Sequence, residues 1–426
     1  MTIAAVITLF FSFLLLLFPP STAEIKTLTI TSDNRPVILL EKFGFTRTGH
    51  VSISVSRVSV AGPTSSEAEP SQLGFFLLSK ESLLQVLVEI QQNPTFCVLH
   101  SRHTLHLCTF RVLSPPPSSS FNHTYPITTP NEYSLFFTNC NPDTAVSMSL
   151  RIELFNLNPT LTYLSSAHTH LPSLFFLFSV AYFSFFAFSL SLTKHLLIPS
   201  LLLANAINLL SAAALKHRLN LAGTPRASDH ILFFLSRFAR VVLLFAVVVL
   251  VGTRWTFLHP INRKGKTVLF FLIIPLQILA HVAFAVIDKT GPYIQNWVTW
   301  NQVFFLLDFI SCCAVVVLFA SAMLLLRRIT SKAQKSEPAM NLDRFSLIRR
   351  FYLLVFGYMF FTQFVMLALK ELIAYDYQWV SNLIEETVTL MFCFVVLYVF
   401  RLLEKDEYSV IGDVEEEEAA ENTVKK

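Results

Sequence analysis

Residues 172–193 read PSLFFLFSVAYFSFFAFSLSLT, without one charged side chain. A helix needs about 20 such residues to cross the hydrocarbon of a bilayer. The same reading recurs near 196–214, 230–252, 267–287, 302–326, 351–369 and 381–402, so seven spans are expected. Composition agrees. The chain has 426 residues, of which 53% are hydrophobic and 14% charged, and Phe occurs 42 times. Soluble domains carry about 25% charge. The net charge of +4 and the lack of a basic stretch argue against nucleic acid as a partner.

An odd number of spans places the two ends of the chain on opposite sides of the membrane. Residues 2–18 are almost wholly apolar, Pro19 and Pro20 stop the run, and Ser21-Thr22-Ala23 offers small residues for cleavage. Residues 1–23 therefore read as a secretory signal peptide. The following segment is then lumenal or extracellular, and the C terminus cytosolic. Lysine and arginine test this orientation independently. Loops assigned to the cytosol hold Lys194, the group Arg254, Arg263, Lys264 and Lys266, and seven more within 327–350, 12 in all. Loops assigned to the lumen hold Lys216, Arg218, Arg226, Lys289 and Lys370, 5 in all.

Residues 24–168 show the period-two pattern of half-buried strands. In Val146 to Leu154 apolar and polar residues alternate strictly. Val51, Ile53 and Val55 alternate with Ser, and the phase slips at Arg57, which predicts a bulge. Further strands are expected at 25–31, 74–79, 96–100, 104–112 and 133–139, and a short helix at 81–91. The class is a β-sandwich. Residues 114–130 read as a long loop, which would present the sequon Asn122-His123-Thr124 to a glycosylating compartment. Cys97, Cys108 and Cys140 leave one thiol over, and spacing alone permits three pairings.

The bundle, residues 169–403, carries charges that are costly in hydrocarbon. Arg237 and Arg240 are three apart on span 3. With Asp308 on span 5 and Glu385 and Glu386 on span 7 they fall at similar depth. This layer reads as an ion-pair lock, a ligand or ion pocket, or a proton relay. Asn205 with Asn208 and Gln277 with His281 read as interhelical hydrogen-bond glue. No pattern supports a catalytic group, a metal or a cofactor. The tail, residues 404–426, is acidic and contains Tyr408-Ser409-Val410-Ile411, the form of a clathrin-adaptor sorting signal.

The stretches FGFTRTGH (43–50), FCVL (96–99), YSLFFTNC (133–140), LVGTRW (250–255), IIPLQILAHVAF (273–284), LLDFISCC (306–313) and WVSNLIEETVTLMF (379–392) resemble the lung seven-transmembrane receptor family. These are GOLD-domain seven-helix proteins, whose plant members are described as candidate G-protein-coupled receptors. The resemblance implies a GOLD-like β-sandwich on an all-α seven-helix membrane bundle, with Cys97 and Cys140 joined. It also implies residence in the Golgi, trans-Golgi or endosome, with the plasma membrane as the other setting, and a part in vesicle traffic. Rhodopsin-type signatures are missing: Gly252-Thr253-Arg254-Trp255 stands where an acidic-Arg-Tyr motif would lie, and span 7 has no Pro. The expected protein is thus a non-enzymatic receptor-like one. It would bind a lumenal protein or peptide and engage clathrin adaptors or G proteins on the cytosolic side. The rival reading is a transporter or channel that uses the Arg/Asp/Glu layer.

Overall fold

A computed structural model describes residues 25–254, apart from 63–69, 94–95, 114–119, 142, 158–159 and 193–195, then a few positions in 299–310, then 350–401 without 352 and 400. The described chain divides into two units.

Among its described residues the first unit holds nine strands: β1 (Ile25–Asp33), β2 (Val37–Phe45), β3 (Gly49–Ala61), β4 (Leu73–Ser79), β5 (Leu105–Thr109), β6 (Phe121–Ile127), β7 (Asn131–Asn139), β8 (Ala145–Leu157) and β9 (Leu161–Thr162). They form two antiparallel sheets. One has the order β1-β8-β3-β6 with β9 on β8, and the other β2-β7-β4-β5. Alternation builds the core between them. Along β8, Val146, Met148, Leu150, Ile152 and Leu154 are buried, and they meet Val51, Ile53 and Val55 of β3. The phase slip at Arg57 is a bulge. The β3–β8 register shifts between Ser56 and Ser59, and Arg57 takes φ 55°.

β4 is apolar throughout because both of its faces are covered. Phe75 and Leu77 point into the sandwich. Phe76 and Leu78 lie in a second cluster with Val86, Val98 and Leu99. Val86 belongs to helix α1 (Lys80–Gln92), which Ser79 caps by accepting from the Ser82 amide. Gly74 is required at this crowded place: a Cβ there would come within 2.5 Å of the Cys108 carbonyl.

Three sequence expectations change. Residues 96–100 are not a strand; a short 3-10 turn, Val98–His100, follows Cys97. The strand expected at 104–112 is cut to β5, and Phe110–Val112 turns instead. The expected loop 114–130 contains β6, so Asn122 lies on a strand. β2 escapes a reading by alternation because its register shifts between Leu39 and Glu41.

Also in the first unit lie residues 214–233, where α3 (Leu197–Ala222) ends and α4 (Ala227–Arg254) begins. The Ile25 amide donates to the Gly223 carbonyl at 3.2 Å, and the Tyr163 amide to the Asn220 carbonyl at 3.1 Å. Both ends of the sandwich are therefore tied to the α3–α4 connection. Gly223 has φ +67°, and a Cβ there would lie 2.9 Å from the Ile25 side chain, so both conformation and space favour glycine. Arg218 pairs with Asp229 across the connection at 3.0 Å.

The second unit is helical. α2 (Leu171–Leu192) has 22 residues and is about 33 Å long, enough to cross a bilayer. Phe176, Leu177, Val180, Phe188 and Leu190 are exposed on it, as expected of a helix solvated by lipid. α3 runs through the interior and buries Leu201, Leu202, Ala206, Leu209, Ala212 and Ala213. Small residues let neighbouring backbones approach closely. Helix α5 (Met366–Leu372) follows a π turn at Phe361–Val365. The last of the long described helices, α6, spans Tyr375–Val399. Three described helices are long and apolar enough to cross a membrane: Ser166–Leu192, Leu197–Ala222 and Tyr375–Val399. The expected spans at 267–287 and 302–326 lie largely outside the described residues, so the structure shows several long apolar helices rather than a count of seven.

Candidate functional site

The polar centre of the bundle is built by helix periodicity. On α4, Ser236, Arg240 and Val247 share one face, and Ser236 and Val247 are buried. On α6, Glu386, Thr389, Cys393 and Val396 do the same, and all four are buried. The two faces meet at an ion pair, Arg240 Nη1 to Glu386 Oε1 at 3.2 Å. Tyr358 stacks on Phe392 with ring centroids 4.1 Å apart, and its hydroxyl is 3.3 Å from Thr389 Oγ1. Tyr182 of α2 is fully buried and lies within electrostatic range of the pair, as does Cys393. Neither the Tyr182 hydroxyl nor Glu386 Oε2 has a hydrogen-bond partner in the described structure.

A second polar track runs beside it. Ser211 and Ser236 hydroxyls are 2.9 Å apart, Ser236 donates to Asn208 Oδ1 at 3.4 Å, and Ser179 donates to the Ala206 carbonyl at 2.9 Å. Asn208 thus acts as interhelical glue. Asn205 donates within its own helix, to the Leu201 carbonyl.

Among the described residues, two of the charges expected in one layer meet, Arg240 and Glu386, and Glu385 takes a different partner. Adjacent residues on a helix point about 100° apart. Glu385 consequently turns away from Glu386 and pairs with Lys370 at 3.2 Å, on a more exposed face. Arg237 is one residue beyond Ser236 and is exposed, although it stands three from Arg240. Asp308 lies outside the described residues, as do Tyr408, Ile411 and the pair Gln277 and His281. Nothing in the sequence points to Tyr182, Tyr358, Thr389 or Cys393 as members of this centre, and Lys370 reads there only as a lumenal-loop cation. A tyrosine in an apolar span gives no local sign of what it faces. Among the described residues no group of three or more His, Cys, Asp or Glu is placed to hold a metal ion.

In the β domain, Cys97 and Cys140 are joined, with Cα atoms 5.3 Å apart. Cys108 is a free thiol. Burial pushes it up to about 11, against hydrogen bonds from the Tyr125 side chain and the Phe75 backbone that lower it. The thiolate is the reactive form. Alkylation of Cys108 in the folded protein should be negligible at pH 8 and rise as pH approaches 11. The urea-unfolded chain should react readily at pH 8. The sign for stability follows, because unfolded Cys108 ionises near 9 and folded Cys108 near 11. Its contribution is complete below the lower value and is lost as pH climbs between them. Peptide mapping after pulse alkylation checks both. Fast labelling of the native protein at pH 8 would mean that the β4–β5 edge opens.

Known proteins resemble this chain over the sandwich and over most of its length. A family model described as the CAND6/7 N-terminal domain matches residues 26–156, which is the sandwich. The protein named Candidate G-protein coupled receptor 6, of Arabidopsis thaliana, is 46% identical over 406 residues, covering 92% of this chain and 94% of its own length. The match therefore runs through the sandwich and the helices alike, and this chain belongs to the candidate G-protein coupled receptor family of which that protein is a member.

Proposed function

We propose that this is a non-enzymatic, seven-span receptor-like protein of the secretory pathway. Its GOLD-like β-sandwich, on the lumenal side, binds a protein or peptide partner. Its cytosolic side engages coat, adaptor or G-protein components in Golgi and endosomal traffic. The signal peptide at 1–23, the glycosylation of Asn122 and the sorting signal at Tyr408 and Ile411 belong to this reading.

One observation carries it. Both ends of the sandwich are hydrogen-bonded to the connection between α3 and α4. A partner that strains the sandwich would pull on the ends of two helices, the arrangement that a receptor needs and a loosely tethered domain lacks. The family membership supports the same reading. The rival reading, a transporter or channel, draws support from the unpartnered Tyr182 hydroxyl and Glu386 Oε2 in the bundle. The pairing of Arg240 with Glu386 and of Lys370 with Glu385 speaks instead for charges that hold helices together.

The test is proximity labelling from both the β domain and the tail, with the wild type and a Tyr408→Ala/Ile411→Ala variant. Secretory cargo or receptor ligands should be labelled from the β domain. Adaptor or G-protein subunits should be labelled from the tail, and the variant should lose the adaptors and redistribute. An unchanged distribution removes the sorting signal. Ion flux through liposomes containing the pure protein, abolished by Glu385→Gln, would replace the receptor reading with the transport one.

A further inference from the structure

A sandwich of two open sheets has four edge strands, each a template for pairing with another chain unless something blocks it. Three of the four here carry a device. β1 is tied by its first amide to Gly223, contains Lys26, and loses register between Ile30 and Asp33. β2 loses register between Leu39 and Glu41 and places Glu41 and Lys42 there, and Lys26 and Glu41 form an ion pair. β5 has five residues, and its pairing slips between Phe75 and Phe76.

β6 has none of these. It is FNHTYPI, without a charge, and its register with β3 is unbroken from Gly49↔Ile127 to Val55↔Phe121. Its other side pairs with no strand among the described residues. Pro126 removes one amide donor near one end. What β6 does contain, in its first half, is Asn122-His123-Thr124. Asn122 stands opposite Ser54 and Thr124 opposite Ser52, on the outer face, because the alternate residues Val51, Ile53 and Val55 face the core. Asn122, His123 and Thr124 are all exposed.

We infer that an N-linked oligosaccharide on Asn122 guards the β6 edge. The transfer joins the Asn122 amide nitrogen to C1 of the first sugar of a lipid-diphosphate oligosaccharide. The C1–oxygen bond to phosphate breaks, the lipid diphosphate leaves with the bonding electrons, and the amide gives up one proton. The bulky, solvated product sits beside the strip that an incoming strand would occupy, where the other edges use charge, shortness or a bulge. This inference rests on the lumenal placement of the sandwich proposed above.

The test expresses the full chain in cells that glycosylate. Wild type and Thr124→Ser, which keeps the sequon, should shift on glycosidase treatment and run as one species on size exclusion. Asn122→Gln and Thr124→Val should lose the glycan, retain the Cys97–Cys140 bond as a sign of folding, and increase the high-mass fraction several-fold. Adding His123→Lys to Asn122→Gln should restore the single species, since a charge on the edge replaces the sugar. A glycan present in wild type, with no change in association when it is removed, overturns the guard and leaves the lumenal placement standing. An unglycosylated wild type overturns the guard as well. Protease protection of the β domain in sealed vesicles then reports whether the lumenal placement falls with it. A specific stoichiometric partner strand captured by the unglycosylated form, in place of aggregates, would make β6 a docking edge and also overturn the inference.

Discussion

Replacing both Cys97 and Cys140 by Ser is expected to cost the β domain about 4 kcal/mol. The bond closes a loop with a sequence separation of 43. Loop-closure entropy for a loop of that size comes to about 4 kcal/mol in the chain-entropy account of disulfides. A domain stable by roughly 5–15 kcal/mol cannot spare that comfortably. The bond also holds local structure. Cys97 leads into the Val98–His100 turn, and Cys140 follows β7. Both pack beside Phe76, Leu78 and Val86 on the outer face of the second sheet. Without it this layer, with α1, should loosen first. Cys108 supplies the measurement, because it is buried on β5 opposite Phe75 of β4 and should react only when the domain opens. Urea titration with pulse alkylation of Cys108 should show the midpoint falling sharply in the double variant. A loss under about 1 kcal/mol would mean that the apolar cluster alone fixes the segment and that the bond is incidental.

The second large effect is expected at the ion pair inside the bundle. Glu386→Ala leaves the largely buried Arg240 with its partner gone, and breaking a buried pair from one side costs about 3–5 kcal/mol. Glu385→Ala, one residue away, should cost about 0–1 kcal/mol, because the Glu385–Lys370 pair is largely exposed. The contrast between two adjacent glutamates separates position on the helix from mere presence of charge. Arg240→Met with Glu386→Met should recover most of the loss, since removing both charges leaves no unpaired ion. Thermal unfolding of the four proteins in one detergent checks this. If Glu386→Ala behaves like Glu385→Ala, the pair is not buried as described. If the double variant is stable yet no longer reaches its normal compartment, the pair acts in the protein's function as well as its folding.

How far these features can be read from the chain depends on how local their causes are. The alternation along β8 and the phase slip at Arg57 are visible because strand periodicity is a property of consecutive residues. The apolar helices are visible for the same reason. β6 and β2 are not, because their extended conformation is held by partners far away in sequence: Asn122 by Ser54, and Glu41 by Leu135. The depth of the charged residues could be counted along each span. Which of them meet could not, since a helix rotated about its axis keeps every residue at the same depth while changing its neighbour.

The order of residues alone therefore determined the two-part plan, an alternating region followed by apolar helices, because solvent preference and backbone period act over a few residues. Only the tertiary structure decided that Arg240 takes Glu386 and leaves Glu385 to Lys370, that the sandwich ends are fastened to the α3–α4 connection, and that Asn122 lies on a strand with one strand partner among the described residues. Each of these depends on the rotation and register of elements distant in sequence, and side-chain packing sets those only when the whole core closes.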